Sequence, residues 1–584
     1  MPDIGNVQSP PPGKLSRLSG TAVLLGGLAL ALFLSMPCVD LLPEGDFVSS
    51  GQMMLIGAPD ANISWSMPLE PLGLALLGKY APWLASAALP CLLQALVLAL
   101  VFCLSSALGA PRAGVLVLFA FAALKNSIVP PGTADVEQLV YAALFLCAAT
   151  ALYLRVTLLF AICAALTLLV RSPLFLFIPL LALLQLRRGG LRGGGERVLT
   201  LLAVPALALL PWIYMNFRVY GSFIPFEAIR AEDNLITGAL GLPMTIEGNT
   251  YALAAIAPGD NVLRWFALTL MAHPMSYIGY VLERVWLVFT WQPLLSAGAI
   301  ASFLRFRKEA GMRLLALLSV YWVLVHVLMS VEPRYFLPLW LLFLAVLAPL
   351  FSAGKKGLSP NPVWRPVFAA AFIPFLLLGF VTEGFVLSYP RRAASGLAEK
   401  LLAENPGNTW LNVKAGTALY DAGYPEAAAP YFAKAYAAQP RNLKFRHKYA
   451  SALFARGMEV EALLSGKPES GSFVTGHSLG LLALEKIRRG DYLAAEKDYV
   501  LARDWWNGGM ARFRRYKTPR ELELLKKLYG DCLGLDDELE LALAPLPANK
   551  KLTLLRGLDR VSSSRRFEYL RSSLELQNMK GGGG

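Results

Sequence analysis

Charged residues are scarce in this chain, since only 16% of its 584 residues are charged while 56% are hydrophobic. Soluble domains usually carry about 25% charged residues. The scarcity is greatest before residue 391, where segments such as 92–104, 156–170 and 337–350 contain no charge. With their flanks, several such segments approach the roughly 20 apolar residues that a bilayer-crossing helix needs. These runs argue against one water-soluble core and predict a multi-pass membrane domain.

Cysteine pairs and metal-binding spacings are also missing. The six cysteines form no CxxC pattern, and four of them lie in apolar runs, where cysteine behaves as a small hydrophobe. The chain contains no Asp-x-Asp pair. We therefore predict no metal site and no cofactor, and leave open a divalent cation at the acidic stretch that contains Asp135 and Glu137.

The composition changes near residue 391. Residues 1–390 hold 23 Lys and Arg and 18 Asp and Glu, whereas the remainder holds 31 and 22. The last third is thus an ordinary water-soluble, basic domain. The predicted organisation is a cytoplasmic tail at 1–17, a transmembrane domain at 18–390, a soluble domain at 391–580 and a disordered glycine tail at 581–584.

Lys- and Arg-rich loops predict the topology, because short basic loops stay in the cytoplasm. They lie at 14–17, 187–197, 305–313 and 355–365. The segment 277–289 carries Glu283 and Arg284 at its middle and is flanked by tryptophans, which favours a helix along the outer surface. About eleven spans follow, in the inner membrane of a bacterium, with the soluble domain outside. If 277–289 spans the bilayer instead, that domain faces the cytoplasm.

A period of 33–34 residues runs through 405–505. Gly423, Gly457 and Gly490 are spaced by this period, and Ala428, Ala462 and Ala495 keep the same register. The pattern resembles the tetratricopeptide repeat (TPR), a pair of antiparallel helices that cross at small residues. The fold class predicted for the whole chain is therefore all-α. Such stacks serve as packing modules or bind partner proteins on their concave face.

Acidic residues follow the first hydrophobic segment. Asp40 and Asp46 precede a segment that we expect to form a short helix, after which Pro68-Leu-Glu70-Pro71 leads back into an apolar run. Carboxylates placed just outside a membrane-embedded helix are costly unless they are used, so both are functional candidates. Each could also be a solvated loop charge or the N-cap of the next helix.

This order resembles the first outer loop of the C-type (GT-C) glycosyltransferases. These membrane enzymes take a sugar from a polyprenyl-phosphate carrier, and they include protein mannosyltransferases and aminoarabinose transferases. Three more segments fit the family in the same order: 211–225, His273-Pro274 and 332–338. The resemblance covers about residues 18–390 and depends on the order of the motifs. Met215 stands where the family commonly has arginine, which directs attention to Arg218 instead.

The resemblance implies roles for particular residues. Asp46 would be the general base, with Asp40 as its rival. Arginine or lysine would hold the leaving phosphate, in the order Arg334, Arg218, Lys125 and Arg171. The remaining candidates for substrate binding are Asp135, Glu137, Glu227, His273, Glu332 and Tyr335. Structural readings stay open: Asp135 could cap a helix, and Arg334 could pair with Glu332 or extend toward lipid headgroups.

The expected partners are a polyprenyl-phosphate sugar, a glycan, lipid or protein acceptor, membrane lipids, and a protein at the repeat domain; no nucleic acid is expected. Two rival functions remain. A polysaccharide polymerase or ligase would share the spans and outer loops. A non-catalytic assembly scaffold or lipid transporter would also fit, although a transporter should show internally repeated halves, and the chain shows no such self-similarity.

Overall fold

The computed structural model describes most of the chain in separate stretches. They are 66–81, 89–109, 111–128, 136–220, 223–227, 229–242, 261–351, 364–388, 409–421, 423–438, 443–464, 473–514, 535–562 and 565–581, with isolated positions 27, 51, 54, 254, 256, 402–403, 406–407 and 440. In these stretches every regular element is a helix. The chain divides into two compact units, Met1–Ser395 and Gly396–Gly584.

The first unit contains thirteen described α-helices and two short 3-10 helices. The α-helices are α1 (Leu69–Tyr80), α2 (Leu89–Leu108), α3 (Pro111–Ile128), α4 (Val136–Tyr153), α5 (Thr157–Leu168), α6 (Phe177–Tyr220), α7 (Ile229–Ala239), α8 (Val262–Ala272), α9 (Pro274–Trp291), α10 (Pro293–Arg305), α11 (Ala310–Val327), α12 (Leu337–Val346) and α13 (Trp364–Ser388). The 3-10 helices, Pro333–Phe336 and Ala348–Phe351, flank α12.

Several of these helices are long and apolar enough to cross a membrane. Among the described residues five qualify: Leu89–Leu108, Val136–Tyr153, Gly194–Arg218, Ala310–Val327 and Pro333–Phe351. Helices α9 and α10 meet at 98° and would make a sixth span if they are counted together. These helices give the unit the character of a membrane protein. The predicted total of about eleven spans stays a prediction.

Helix α4 lies at the centre of the first unit and packs against α2, α5, α11 and α12. Nearly all of its side chains are buried, and Phe145 contacts Trp322 of α11 at 4.7 Å between ring centroids. The second half of α6 is the opposite case, because Leu199, Leu207 and Phe217 are exposed. Exposure of such an apolar surface to water costs free energy, whereas contact with the lipid chains of a bilayer does not.

The basic segment 187–197 is helical, where the sequence predicted an irregular loop. The chain nevertheless reverses direction there. A Cβ built on Gly194 would lie 3.1 Å from the carbonyl oxygen of Gln185, although nine residues of straight helix span about 13 Å. The loop was predicted from its basic residues alone, and basic residues do not decide between a helical and an irregular backbone.

The second unit contains nine described helices. They are α14 (Thr409–Asp421), α15 (Pro425–Ala438), α16 (Leu443–Ala455), α17 (Glu461–Leu464), α18 (Phe473–Arg489), α19 (Tyr492–Arg514), α20 (Leu535–Leu543), α21 (Ala548–Val561) and α22 (Arg565–Gly581). The pairs α14–α15 and α18–α19 are in extensive contact.

The three periodic glycines all end helices in the same way. Gly423, Gly457 and Gly490 have φ values of 84°, 81° and 82°. In each case the glycine N–H bonds a carbonyl three residues back, and the following N–H bonds one five residues back. This is the Schellman motif, whose left-handed position favours glycine. Ala428 and Ala495 are fully buried, while Ala462 is exposed. The assignment to TPR repeats stays a prediction.

Candidate functional site

Four segments of the first unit meet around two arginines. They are the start of α4, the turn after α5, the stretch 223–227 and the 3-10 helix Pro333–Phe336. Glu137, in the first turn of α4, lies 4.0 Å from the guanidinium of Arg171, and both side chains are buried. The N-terminal end of a helix dipole also favours the negative charge of Glu137. We call this group of contacts the arginine cluster.

Gln138 joins the two arginines. With its side-chain amide oriented to match its neighbours, its oxygen accepts a hydrogen bond from Nη1 of Arg171 at 2.7 Å, and its nitrogen donates to the backbone carbonyl of Arg334 at 3.2 Å. A buried amide with both ends satisfied fixes the relative position of the groups that it contacts. Gln138 therefore holds the 3-10 helix beside the turn that carries Arg171.

The segment Glu332–Tyr335 presents the second arginine. Glu332 pairs with Arg334 at 2.5 Å and accepts a hydrogen bond from the hydroxyl of Tyr335 at 3.3 Å. The Tyr335 ring lies 4.6 Å from the guanidinium of Arg171 and 5.4 Å from that of Arg334, so both cations contact its π-system. The side chain of Arg334 is 36% exposed, against 8% for Arg171. Arg334 is thus the accessible cation.

Helix α11 supports both arginine-bearing segments. The indole Nε1 of Trp322 donates to the carbonyl of Tyr335 at 3.1 Å, and the hydroxyl of Tyr321 donates to the carbonyl of Pro173 at 2.5 Å. Nδ1 of His326 lies 2.8 Å from the carbonyl of Trp322, and the His326 ring packs on Phe336. Because α11 is packed on the central helix α4, the arginine cluster is part of the rigid core.

Glu227 brings the third carboxylate to the same turn. Its Oε1 accepts a hydrogen bond from the backbone N–H of Ser172, the residue after Arg171, at 3.3 Å. The stretch that carries it is tied to the end of α6, since the side-chain amide of Asn216 donates to the carbonyl of Ile224 at 2.9 Å. Sequence reasoning named Glu227 only as a minor candidate, and the fold places it next to Arg171.

The remaining predicted residues are not part of these contacts. Arg218 is exposed on α6, where its guanidinium faces Tyr214, and Met215 is buried. His273 is exposed at the junction of α8 and α9. Asp40, Asp46 and Asp135 lie outside the described residues, and so does the side chain of Lys125, which belongs to α3.

Sequence reasoning did not select two polar residues that the fold places near the arginine cluster. One is Gln138, and the other is Glu70, which is buried in the first turn of α1. The N–H of Leu69 bonds the carbonyl of Leu169 at 3.0 Å, so α1 begins beside the turn that carries Arg171. The position of Glu70 between two prolines, at the return to the apolar run, was the available signal.

A third unpredicted role belongs to Arg284, which is fully buried in α9. Its guanidinium donates to the carbonyls of Gly238 at 2.5 Å, Val327 at 3.1 Å and Leu242 at 3.4 Å. These carbonyls lie at or just beyond the C-terminal ends of α7 and α11, where backbone acceptors lack helical partners. Arg284 therefore joins α7, α9 and α11 directly before the segment that carries Arg334.

The described residues contain no group of three or more His, Cys, Asp or Glu side chains placed to hold a metal ion. The arginine cluster instead offers two fixed guanidiniums, three carboxylates and a tyrosine. Such a set can hold an anion through Arg334 and hydroxyl groups through the carboxylates.

Comparisons with known proteins found no matching family model, no matching curated sequence and no matching solved structure.

Proposed function

We propose that the chain is an integral-membrane glycosyltransferase that moves one sugar from a polyprenyl-phosphate carrier to an acceptor on the extracytoplasmic face. The acceptor would be a glycan, a lipid or a protein. The observation that carries the proposal is the arginine cluster, in which the accessible Arg334 and the buried Arg171 share Tyr335. The motif order that resembles the GT-C family supplies the reaction type.

In the proposed reaction, the acceptor hydroxyl oxygen attacks the anomeric carbon, and the bond from that carbon to the phosphate oxygen breaks. The polyprenyl phosphate leaves with the bonding electrons, while Asp46 takes the hydroxyl proton. Arg334 stabilises the negative charge that grows on the leaving phosphate. Attack opposite to the leaving group inverts the anomeric centre.

The paired carboxylates set the orientation of these cations. A guanidinium held by Glu332 keeps a fixed orientation, and the planar fork of a guanidinium matches the geometry of a phosphate. Glu137 and Gln138, both buried, fix the orientation of the Arg171 guanidinium in the same way. Preorganised donors cost no rearrangement when charge develops, which is the physical basis of this type of catalysis.

The test begins in cells. Mass spectrometry of envelope glycans, with and without this protein, is expected to show one missing sugar on one acceptor. The polyprenyl phosphate of that sugar then serves as donor for the purified full-length chain. We expect Asp46→Asn to slow transfer by about 10²–10⁴-fold, as loss of a general base does. We expect Arg334→Gln to slow it by about 10²–10³-fold.

Arg307→Gln is the matched control, because Arg307 is exposed in the link between α10 and α11. It should leave the transfer rate unchanged. An Asp46→Asn protein with a near-normal rate would refute the base assignment. An unchanged set of envelope glycans and no sugar transfer from any polyprenyl-phosphate donor would refute the proposed function.

A further inference from the structure

A second polar site lies at the opposite end of the central helices from the arginine cluster. Helix α4 begins at the cluster, is 18 residues long and ends at Tyr153, about 26 Å away at 1.5 Å per residue. Helix α6 has two arms, Phe177–Arg187 and Gly194–Arg218, on either side of its reversal. At the Tyr153 end a cleft opens between the end of α4, the start of α5, both arms of α6 and the start of α11. We call it the basic cleft.

The basic cleft combines cationic and apolar walls. Arg155, Arg197 and Gln185 line it, together with apolar residues that include Phe160, Leu181 and Leu314. The cleft has a cavity volume of about 40 Å³, which is several times the roughly 10–15 Å³ that a single water needs. It therefore admits a group the size of a phosphate.

Arg155 occupies a strained backbone position. Its φ is 61°, and it is the one described non-glycine residue with a positive φ. The N–H of Arg155 bonds the carbonyl of Leu152, and the N–H of Val156 bonds that of Ala151. This is again the Schellman motif, whose left-handed position is glycine in the three turns of the second unit. An arginine there costs conformational energy, which indicates that its side chain is used.

The start of α5 adds a second cationic feature to the same cleft. Its N-cap residue, Val156, makes no side-chain capping bond. Thr157, the first residue of this 12-residue helix, lines the cleft. The first backbone N–H groups of a helix have no helical partners and carry partial positive charge, so they favour an anion.

The surroundings of the cleft are basic, although not uniformly so. Glu309 directly precedes α11, and Glu196 is the neighbour of Arg197. Neither glutamate lines the cleft. Close to it, Val156, Leu158 and Leu199 are 46%, 55% and 67% exposed. An anion held here would therefore sit next to an apolar surface suited to lipid chains.

We propose that the basic cleft binds the phosphate of an anionic phospholipid in the leaflet that contacts the basic end of the helices. Arg155 and Arg197 hold the phosphate oxygens, the start of α5 adds backbone donors, and the acyl chains lie along Leu158 and Leu199. Basic pockets between membrane helices bind anionic headgroups in this way. The site is separate from the proposed sugar transfer.

The test uses the purified full-length chain, delipidated and offered equal amounts of phosphatidylglycerol and phosphatidylcholine. Native mass spectrometry counts the lipids that are retained. We expect preferential retention of phosphatidylglycerol, and Arg155→Gly should lower it about tenfold, as loss of a charge-assisted hydrogen bond does. Glycine suits the left-handed position, so this variant should melt at the same temperature as the original or higher.

Arg307→Gln is the control, because Arg307 is an exposed cation outside the cleft. It should retain phosphatidylglycerol normally. Equal retention by Arg155→Gly and the original protein would overturn the proposal. So would an equal loss in Arg307→Gln, which would indicate diffuse attraction, or displacement of the lipid by millimolar inorganic phosphate, which would indicate a site for free anions.

Discussion

Three arginines of the membrane unit, Arg171, Arg284 and Arg334, have different kinds of partner. Arg284 donates to three backbone carbonyls at helix ends. Arg171 and Arg334 instead contact carboxylates and share the ring of Tyr335. Carbonyls at helix ends need a donor in any case, so the contacts of Arg284 have a structural explanation, and those of Arg171 and Arg334 are the ones on which the proposed phosphate site depends.

A pair of histidines in the second unit makes the stability of its helices depend on pH. His447 of α16 and His477 of α18 lie 5.6 Å apart between ring centroids, with Ser478 and Lys448 beside them. Burial lowers the pKa of His447 to about 3 and that of His477 to about 4. Both rings therefore stay neutral in the folded protein near neutral pH.

In the unfolded chain each histidine has a pKa near 6.5. Below that pH the unfolded state binds protons that the folded state does not, so the free energy of unfolding falls as the pH drops from about 6.5 toward 4. The loss approaches about 1.4 kcal/mol per pH unit for each histidine. Hydrogen exchange of α16 and α18 in the full chain, corrected for intrinsic rates, should show weaker protection at pH 5 than at pH 7.

The double variant His447→Gln with His477→Gln removes both groups. At pH 7 the amides of α16 and α18 should be less protected from hydrogen exchange than in the original protein, because the substitutions alter buried hydrogen bonds. Between pH 7 and pH 5 this protection should change much less than in the original protein. If the variant and the original lose the same protection on acidification, the histidines are not the cause.

The sequence named part of the arginine cluster. Arg171, Arg334 and Glu137 were selected as site candidates through the resemblance to the GT-C family, and the structure brings the three residues together. Gln138 and Arg284 could not be selected, because their roles depend on which backbone carbonyls the tertiary fold brings close. The pairing of Arg334 with Glu332 was predicted as a structural alternative, and the structure contains it while a third of the arginine remains exposed.

At the scale of elements, the contact between α7 and the end of α11 determines the position of the segment Glu332–Tyr335, which carries Arg334. Beyond α11, Ser330 donates from its hydroxyl to Oδ1 of Asn234 in α7 at 2.6 Å. A Cβ on Gly238 would lie 2.7 Å from the carbonyl oxygen of Met329. The backbones of the two elements thus touch, directly before Glu332 and Arg334.

We predict that Gly238→Ala destabilises the membrane unit. No flexible side chain can move aside, because the clashing atoms belong to the backbone of Met329. Helix α7 must shift, which weakens the bond from Arg284 to the carbonyl of Gly238. Overpacking of this kind costs about 1–3 kcal/mol. A lower melting temperature of the purified chain, together with reduced sugar transfer, is the expected result.

Gly279→Ala is the matched control. Gly279 lies inside α9, and a Cβ there would meet nothing within 4 Å. Alanine is better than glycine in a helix by about 1 kcal/mol, so this variant should melt at the same or a higher temperature. Equal melting temperatures for the two variants would contradict the close backbone contact.

Hydrophobic runs and glycine spacing predicted the elements better than their ends. The apolar runs at 92–104 and 337–350 correspond to α2 and to α12 with its flanking 3-10 helices, since a buried membrane helix is apolar on all sides. The glycine spacing of 33–34 residues matches three identical helix ends. At 187–197 the sequence predicted a loop, and the chain does reverse there, but the helical backbone was not predicted, because the basic residues of the segment do not determine its backbone conformation.

At the scale of the whole molecule, charge separates the two ends of the membrane unit. Arg112, Arg155, Arg197, Arg305 and Arg307 lie at helix ends opposite to the arginine cluster, as the alternating directions of α3, α4, α5 and α11 require. Basic residues remain on the cytoplasmic side. The arginine cluster would then face the extracytoplasmic side, where a polyprenyl-phosphate sugar is used, and the basic cleft would face the cytoplasmic leaflet.

Reporter fusions test this assignment of sides. Alkaline phosphatase is active only outside the cytoplasm, so a fusion after residue 308, at the basic end of α10, should be inactive. A fusion after residue 391 should be active, because α11, Pro333–Phe351 and α13 would cross the bilayer three times between the two positions. Green fluorescent protein fused at the same two positions should give the reverse pattern. Phosphatase activity after residue 308 would place the basic end outside the cytoplasm. It would contradict both the extracytoplasmic position of the arginine cluster and the position of the basic cleft in the cytoplasmic leaflet. If the fusion after 391 is inactive and the fusion after 308 is inactive too, one of the segments between these positions does not cross the bilayer, because the number of crossings between them would then be even.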